Sequence, residues 1–224
     1  MKTVGILGGM GPEATILLMQ RLLRAVPARD DAGHIPLIVH QNPGVPSRIA
    51  RLIHGQGDDP APVLAAMAQD LQAAGAQALA MPCNTAHAYA PQIIAATPLP
   101  FLDMRLATVS ALPRGRVGML ASPALRLTGV FDDAFKSAGI EPVWPQDDAP
   151  VLALIQRVKA GDSGPEVLAD MARLADQMAG RCDHLLVACT ELSLLTGTIR
   201  HPFTDSLDCL VTAIAAFAQG HTQN

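Results

Sequence analysis

The strongest constraint on this chain is that it spells one pattern twice. Val4-Gly5-Ile6-Leu7 returns as Val117-Gly118-Met119-Leu120. Ala78-Leu79-Ala80-Met81-Pro82-Cys83 returns as His184-Leu185-Leu186-Val187-Ala188-Cys189, and Pro100-Phe101-Leu102-Asp103 as Pro202-Phe203-Thr204-Asp205. The partners keep their order and lie about 102 to 113 residues apart, a spread that loop insertions explain. One such pair could arise by chance; three in order read as an internal duplication. A residue at the end of a strand in one half then has a counterpart in the other.

The halves read as α/β units. Short apolar runs at Val4–Leu7, Ile35–His40, Ala76–Met81 and Pro100–Asp103 read as strands. Pro12–Val26 and Pro62–Ala74 read as helices, the first with Ile16, Leu17, Met19, Leu22, Leu23 and Val26 at helical spacing. This alternation predicts parallel βαβ units. The expected architecture is two pseudo-symmetric lobes, each a mainly parallel sheet flanked by helices. Residues 1–104 form one, completed by 206–224 with its helix at Cys209–Ala218; residues 105–205 form the other. Ligands of open α/β sheets bind beyond the carboxyl ends of the strands, so facing lobes would put Cys83 and Cys189 on opposite walls of one cleft.

Composition narrows the function. Half of the 224 residues are hydrophobic and 16% are charged, which supplies a core and excludes general disorder. The net charge of −4, with no run of Lys or Arg, excludes a nucleic-acid footprint, and 3% aromatics give no stacking platform. The run Leu71–Leu102 carries no Asp, Glu, Lys or Arg, but Pro82, Pro91, Pro98 and Pro100 interrupt it. A membrane span needs about 20 mainly apolar residues, so the run reads as the packed interior of a lobe. The apolar N-terminal stretch is too short for a secretory signal, which predicts a cytoplasmic protein. Four scattered cysteines without a CxxC make no disulfide framework.

Each cysteine is then core filler or chemistry. Cys182 and Cys209 have no polar constellation beside them and read as filler. Cys83 and Cys189 occupy equivalent positions, each after an apolar strand and before polar residues that start a helix, Asn84-Thr85 and Thr190-Glu191. A thiol there meets unpaired backbone N–H groups, which favours the thiolate. Two thiols facing across a cleft suit inversion at a carbon centre: one removes a proton, the other returns one to the opposite face. Cys83 and His87, at i and i+4, also have metal-ligand spacing, but Cys189 has no matching His, so no metal site is expected; His87 reads as a helix-surface or cleft-wall residue.

Gly9–Ala14 fits GxGxxG/A between a strand and a helix, a dinucleotide fingerprint. Glu13 places a negative charge where a pyrophosphate would lie, and the second strand ends His40-Gln41-Asn42 without an acid for the ribose. The glycines read better as letting the backbone approach a small anion.

Gly8-Gly9-Met10-Gly11-Pro12-Glu13-Ala14-Thr15, Met81-Pro82-Cys83-Asn84-Thr85-Ala86-His87 and Ala188-Cys189-Thr190-Glu191-Leu192 resemble the signatures of the aspartate/glutamate racemase family, nearest to its two-cysteine aspartate racemases. The resemblance covers nearly the whole chain. It implies two lobes around a cleft, no pyridoxal phosphate or other cofactor, an acidic amino acid as substrate, and a homodimer. Carried over, Cys83 and Cys189 are the acid/base pair, with Asn84, Thr85 and Thr190, and beside them Met10 and Glu191, lining the substrate site. Asn42–Arg48 resembles the loop whose Arg binds the side-chain carboxylate, and Val158–Gly161 a segment whose Lys reaches the same cleft. Arg48 and Lys159 are otherwise solvated surface cations. The chain departs from the family at Ala121–Thr128, where a Thr/Gly-rich turn is common; Ser122 or Arg126 would have to compensate. Glu191 stands where glutamate racemases carry His, and both cysteines are present, unlike the pattern of malonate decarboxylases and maleate isomerases. The expected function is a cofactor-independent racemase of aspartate or a related acidic amino acid. The alternatives are an NAD(P)-dependent oxidoreductase using Gly9–Ala14 and a non-catalytic amino-acid-binding protein of the same fold.

Overall fold

A computed structural model describes residues 1–221. The first half runs β1 (Val4–Gly8), α1 (Pro12–Ala25), β2 (Leu37–Gln41), α2 (Arg48–His54), α3 (Pro60–Ala73), β3 (Ala78–Ala80), α4 (Ala90–Ala96), β4 (Phe101–Leu102) and α5 (Met104–Ala111). The second runs β5 (Gly115–Leu120), α6 (Pro123–Thr128), α7 (Asp132–Ala138), β6 (Ile140–Val143), α8 (Ala149–Lys159), α9 (Pro165–Ala179), β7 (His184–Val187), β8 (Phe203–Asp205) and α10 (Ser206–Ala218). Among the described residues no helix is long and apolar enough to cross a membrane.

The duplication is visible in the hydrogen bonding. Two parallel four-stranded sheets have the orders β2-β1-β3-β4 and β6-β5-β7-β8. Val4 pairs with Ala78 in one and Val117 with His184 in the other; Leu79 pairs with Phe101 and Leu185 with Phe203. These are the residues that the sequence repeat equates, so the two sheets share register as well as order. Gly5 and Gly118 repeat a packing detail too. A Cβ on Gly5 would stand 2.9 Å from Ala76 Cβ, and one on Gly118 2.6 Å from Cys182 Sγ. Cys182 therefore fills the space that Ala76 fills in the other half, and its thiol donates to Met178 O at 3.1 Å.

Alternation along the strands sends side chains to two cores per sheet. Leu7 and Leu79 pack with Leu64, Met67, Leu71 and Ile93 of α3 and α4, while Val4 and Ile6 pack with Leu18 and Leu22 of α1. That second layer is completed by Leu207, Leu210 and Ile214 of α10, which leaves β8 and lies against the first sheet. Conversely, α5 leaves β4 and lays Val109 and Leu112 against the second sheet's core of Val117, Met119, Phe131 and Phe135. The far face of the second sheet is covered by α8 and α9. Of the segment 206–224 expected to complete the first lobe, residues 222–224 lie outside the described residues.

Capping explains where several helices begin. Asp59 accepts from Ala61 N and Pro60 takes the first turn, so α3 starts two residues before the predicted Pro62. Asp103 accepts from Arg105 N and Leu106 N, and Asp205 from Leu207 N. The repeated Pro-Phe-x-Asp is thus a strand followed at once by a helix cap, which is why α10 starts at Ser206 and not at Cys209.

Candidate active site

The carboxyl ends of β1, β2, β3, β5 and β7 open onto one small cleft built from both halves. Met10 follows β1. Arg48, with Ser47 and Ile49, follows β2 at the start of α2. Cys83, Asn84 and Thr85 follow β3, Ser122 follows β5, and Ala188, Cys189, Thr190 and Glu191 follow β7. Ile155 and Lys159 come in from α8. Both thiols are nearly buried, each 8% exposed.

Beyond Cys83 the chain winds into a 3-10 turn, Thr85–Tyr89. His87 locks it. Its Nδ1 lies 2.8 Å from the Cys83 carbonyl, and its Nε2 accepts from Met104 N at 3.3 Å. A carbonyl only accepts and an amide N–H only donates, so the ring is neutral with its proton on Nδ1. Burial lowers its pKa to about 4, against the pull of Asp103 and the Cys83 carbonyl. His87 is therefore an anchor of the cysteine turn and not the cleft-wall or helix-surface residue that its spacing suggested. Asn84 donates from Nδ2 to Ser206 Oγ at 2.9 Å, which ties the same turn to the start of α10.

The Cys189 turn is held differently. Ser193, the counterpart of His87, donates to Asp205 Oδ1 at 2.7 Å, and Ser193 O accepts from Arg21 Nη2 at 2.6 Å. Arg21, on α1, also reaches Asp205 at 2.6 Å and Asp208 at 2.9 Å. Cys189 Sγ donates to Glu191 Oε2 at 3.1 Å, and Lys159 Nζ lies 3.2 Å from Glu191 Oε1. Burial and the Glu191 carboxylate push the Cys189 thiol well up; Lys159 opposes them without prevailing. Burial alone would lower Lys159, but Glu191 and the two cysteines raise it. The expectation that a helix start would favour the thiolate thus fails at Cys189. The segment is a 3-10 turn, Leu192–Thr198, and a carboxylate sits closer than any helix dipole.

Gly8 and Gly9 of the glycine loop pack against protein. A Cβ on Gly8 would meet the Thr15 side chain at 2.7 Å, and one on Gly9 the Asn42 backbone at 2.5 Å, where a φ of +94° itself requires glycine. Gly9 N donates to Thr15 Oγ1 at 3.0 Å. A Cβ on Gly11 would stand 3.3 Å from Glu13 Oε2 and 3.6 Å from Glu191 Oε1. Two carboxylates at the fingerprint leave a pyrophosphate no favourable seat, so the dinucleotide reading has no support. Among the described residues, His, Cys, Asp and Glu form no group of three that could hold a metal.

The profile of the Asp/Glu/Hydantoin racemase family matches residues 7–214. The chain belongs to this family. As a member it is an amino-acid racemase, an isomerase of the kind that works without pyridoxal phosphate. The broad-specificity amino-acid racemase RacX of Bacillus subtilis is 26% identical over 220 residues, covering 92% of this chain and 94% of that protein. The structure of Picrophilus torridus aspartate racemase superimposes with a TM-score of 0.89 at 27% identity, covering 98% of this chain and 95% of that one. An aspartate racemase homologue from Pyrococcus horikoshii shares the fold, with a TM-score of 0.76 at 18% identity over 98% of this chain and all of that one.

All ten residues picked from the racemase motifs and their neighbours, Met10, Arg48, Cys83, Asn84, Thr85, Ser122, Lys159, Cys189, Thr190 and Glu191, line this one cleft. Arg126 does not join them: its guanidinium lies 5.9 Å from the Trp144 ring centroid. Ser122 does, while its Oγ caps α6 by accepting from Ala124 N. Sequence reasoning missed Ile155, which shares a face with Lys159 four residues on. It also missed Arg21, whose partners lie more than 170 residues away.

Proposed function

We propose that this racemase inverts aspartate or a related acidic amino acid by a two-base exchange between Cys83 and Cys189. The observation that carries the reading is that the two thiols, equivalent in the repeat, line one cleft together with Arg48 and Lys159. One sulfur, as thiolate, takes the α-hydrogen as a proton and leaves the electron pair on the α-carbon. The other, as thiol, delivers its proton to the opposite face and becomes the thiolate. Protons and charge balance, and the opposite enantiomer runs the same path backwards.

The α-hydrogen is a very weak acid, so the cleft must stabilise charge that develops beside the α-carboxylate. An acidic amino acid brings two carboxylates. Arg48 Nη1 is already held by the carbonyls of Val45 and Pro46, at 3.1 and 3.0 Å, which fixes the direction of the guanidinium. Its remaining N–H groups suit a carboxylate. Lys159 supplies a second cation, and Thr85 and Thr190 supply hydroxyls beside the two sulfurs. The relatives named for aspartate and for broad amino-acid racemisation support an amino acid as substrate.

The reading is tested by incubating the protein in D2O with each enantiomer of aspartate, glutamate and several neutral amino acids, following loss of the α-proton NMR signal and decay of optical rotation. Deuterium entry with racemisation of an acidic amino acid is expected. General acid–base groups contribute about 10²- to 10⁴-fold each, so Cys83→Ala and Cys189→Ala should each slow racemisation by about 10³-fold or more. Racemisation that survives both changes overturns the thiol mechanism; turnover of neutral amino acids alone overturns the substrate.

A further inference from the structure

The two thiols are equivalent in the fold but not in their neighbours. Two residues past Cys83 stands Thr85; two residues past Cys189 stands Glu191, and both line the cleft. A hydroxyl donates or accepts as required, whereas an ionised carboxylate only accepts. Glu191 Oε2 lies 3.1 Å from Cys189 Sγ, and the Glu191 side chain is 6% exposed, so little water screens the contact. A thiolate at that distance would set two negative charges together, offset only in part by the Glu191 backbone N–H. A thiol makes a hydrogen bond. Lys159 Nζ, 3.2 Å from Oε1, pairs with the other carboxylate oxygen and leaves Oε2 to accept that bond.

We propose that Glu191 is a positioning residue that keeps a proton on Cys189 in the empty cleft, so that the pair rests with Cys189 as its acid. This rests on the two-thiol reading above. It gives Glu191 to the sulfur, not to substrate carboxylates, which it would repel. When Cys189 delivers its proton to the α-carbon, negative charge arrives on the sulfur beside Glu191, and Lys159 is the cation at hand to offset it. When the α-hydrogen instead faces Cys189, the sulfur must first give up its proton. Thr85 imposes no such condition on Cys83. The duplicated fold therefore holds a biased acid/base pair in a nearly symmetric site.

The test is alkylation of each thiol by iodoacetamide, a neutral reagent, with rates read by peptide mass mapping across pH 6–10. It is applied to the unmodified protein, Glu191→Gln, Glu191→Thr and Lys159→Gln. Glu191→Thr copies the residue beside Cys83 and stands in if the glutamine variant folds poorly. Either change at Glu191 should move the Cys189 profile to lower pH by about one unit, which is about tenfold in rate on its rising limb. The Cys83 profile should stay in place, and Lys159→Gln should move the Cys189 profile the other way. An unmoved Cys189 profile overturns the proposal, as does joint acceleration of both thiols in all variants, the mark of simple loosening. Failure of the two-thiol mechanism is seen separately, as racemisation that persists in the cysteine-to-alanine variants.

Discussion

The Cys83 and Cys189 turns do one geometric job with different chemistry. In each, the residue four past the cysteine reaches the start of the helix after the fourth strand. His87 Nε2 accepts from Met104 N, the first residue of α5, at 3.3 Å, and Ser193 Oγ donates to Asp205, the cap of α10, at 2.7 Å. These bonds carry the position of each thiol into the helix that crosses between halves. What differs is the source of the balancing cation. Asp103 is paired by Arg105, two residues away on its own helix, whereas Asp205 is paired by Arg21, from α1 in the other half. Duplication preserves the tie between turn and helix start, and lets the ionic partner and the residue beside each sulfur diverge.

The sharpest way to break this comparison is to remove the two arginines. The Asp205 side chain is fully buried, and burial already pushes its carboxyl up despite Arg21 and Ser193. Arg21→Ala would leave a buried carboxylate without its cation, a loss of about 3–5 kcal/mol by the usual cost of breaking such pairs. Arg105→Ala should cost about 1 kcal/mol, because Asp103 is partly exposed and keeps its backbone donors. A carboxyl raised in the folded state holds its proton more tightly there than when unfolded. The folded protein is therefore penalised as pH rises through that raised pKa, and the Arg21→Ala deficit should narrow in acid. Urea unfolding at two pH values measures both; equal losses for the two variants would remove the distinction.

His87 and Ser193 offer a smaller difference, in pH alone. The folded pKa of His87 is about 4 against 6.5 unperturbed. The stability tied to keeping this imidazole neutral is fully present above pH 6.5 and lost as pH falls through about 4, a total of about 3 kcal/mol. Ser193 does not titrate, so the second half contributes no such slope at the matching position. His87→Gln can still bridge the Cys83 carbonyl and Met104 N, and it should flatten unfolding free energy against pH between 6.5 and 4. An unchanged slope would mean that the acid sensitivity lies elsewhere.

The parallel βαβ units, the correspondence of the two halves and the shared cleft were legible because the repeat pairs are themselves strands and strand ends. Leu7 with Leu120 and Cys83 with Cys189 mark where each βα unit turns toward ligand. The second half's outer strand was not legible. Ile140–Val143 contains Glu141 and Pro142, which break the apolar run, and β6 tolerates them because it is an edge strand. The anchoring device was hidden for another reason. His and Ser look unrelated in a sequence, and only their common place, bonded to the start of the crossing helix, shows them to be equivalent. Cys189 was read as activated because the backbone around it was visible in sequence; that Glu191 turns back onto the sulfur depends on its rotamer and burial.

The smallest expected effect probes the sulfurs themselves. The two enantiomers of an amino acid have equal free energy, so kcat/KM must be the same in both directions whatever the site contains. A biased acid/base pair shows instead in kcat and KM taken singly. The complex with the α-hydrogen facing Cys83 keeps Cys189 protonated and lies lower; the complex on the other side holds a Cys189 thiolate beside Glu191 and lies higher. The first enantiomer should therefore show both the lower KM and the lower kcat, each by about 3- to 10-fold, the equivalent of roughly one pKa unit. Glu191→Thr, which gives Cys189 the neighbour that Cys83 already has, should bring both ratios toward one while kcat/KM stays matched between directions. Progress curves started from each pure enantiomer measure this. Ratios that begin at one, or that do not move in the variant, would mean that the carboxylate beside Cys189 does not bias the pair.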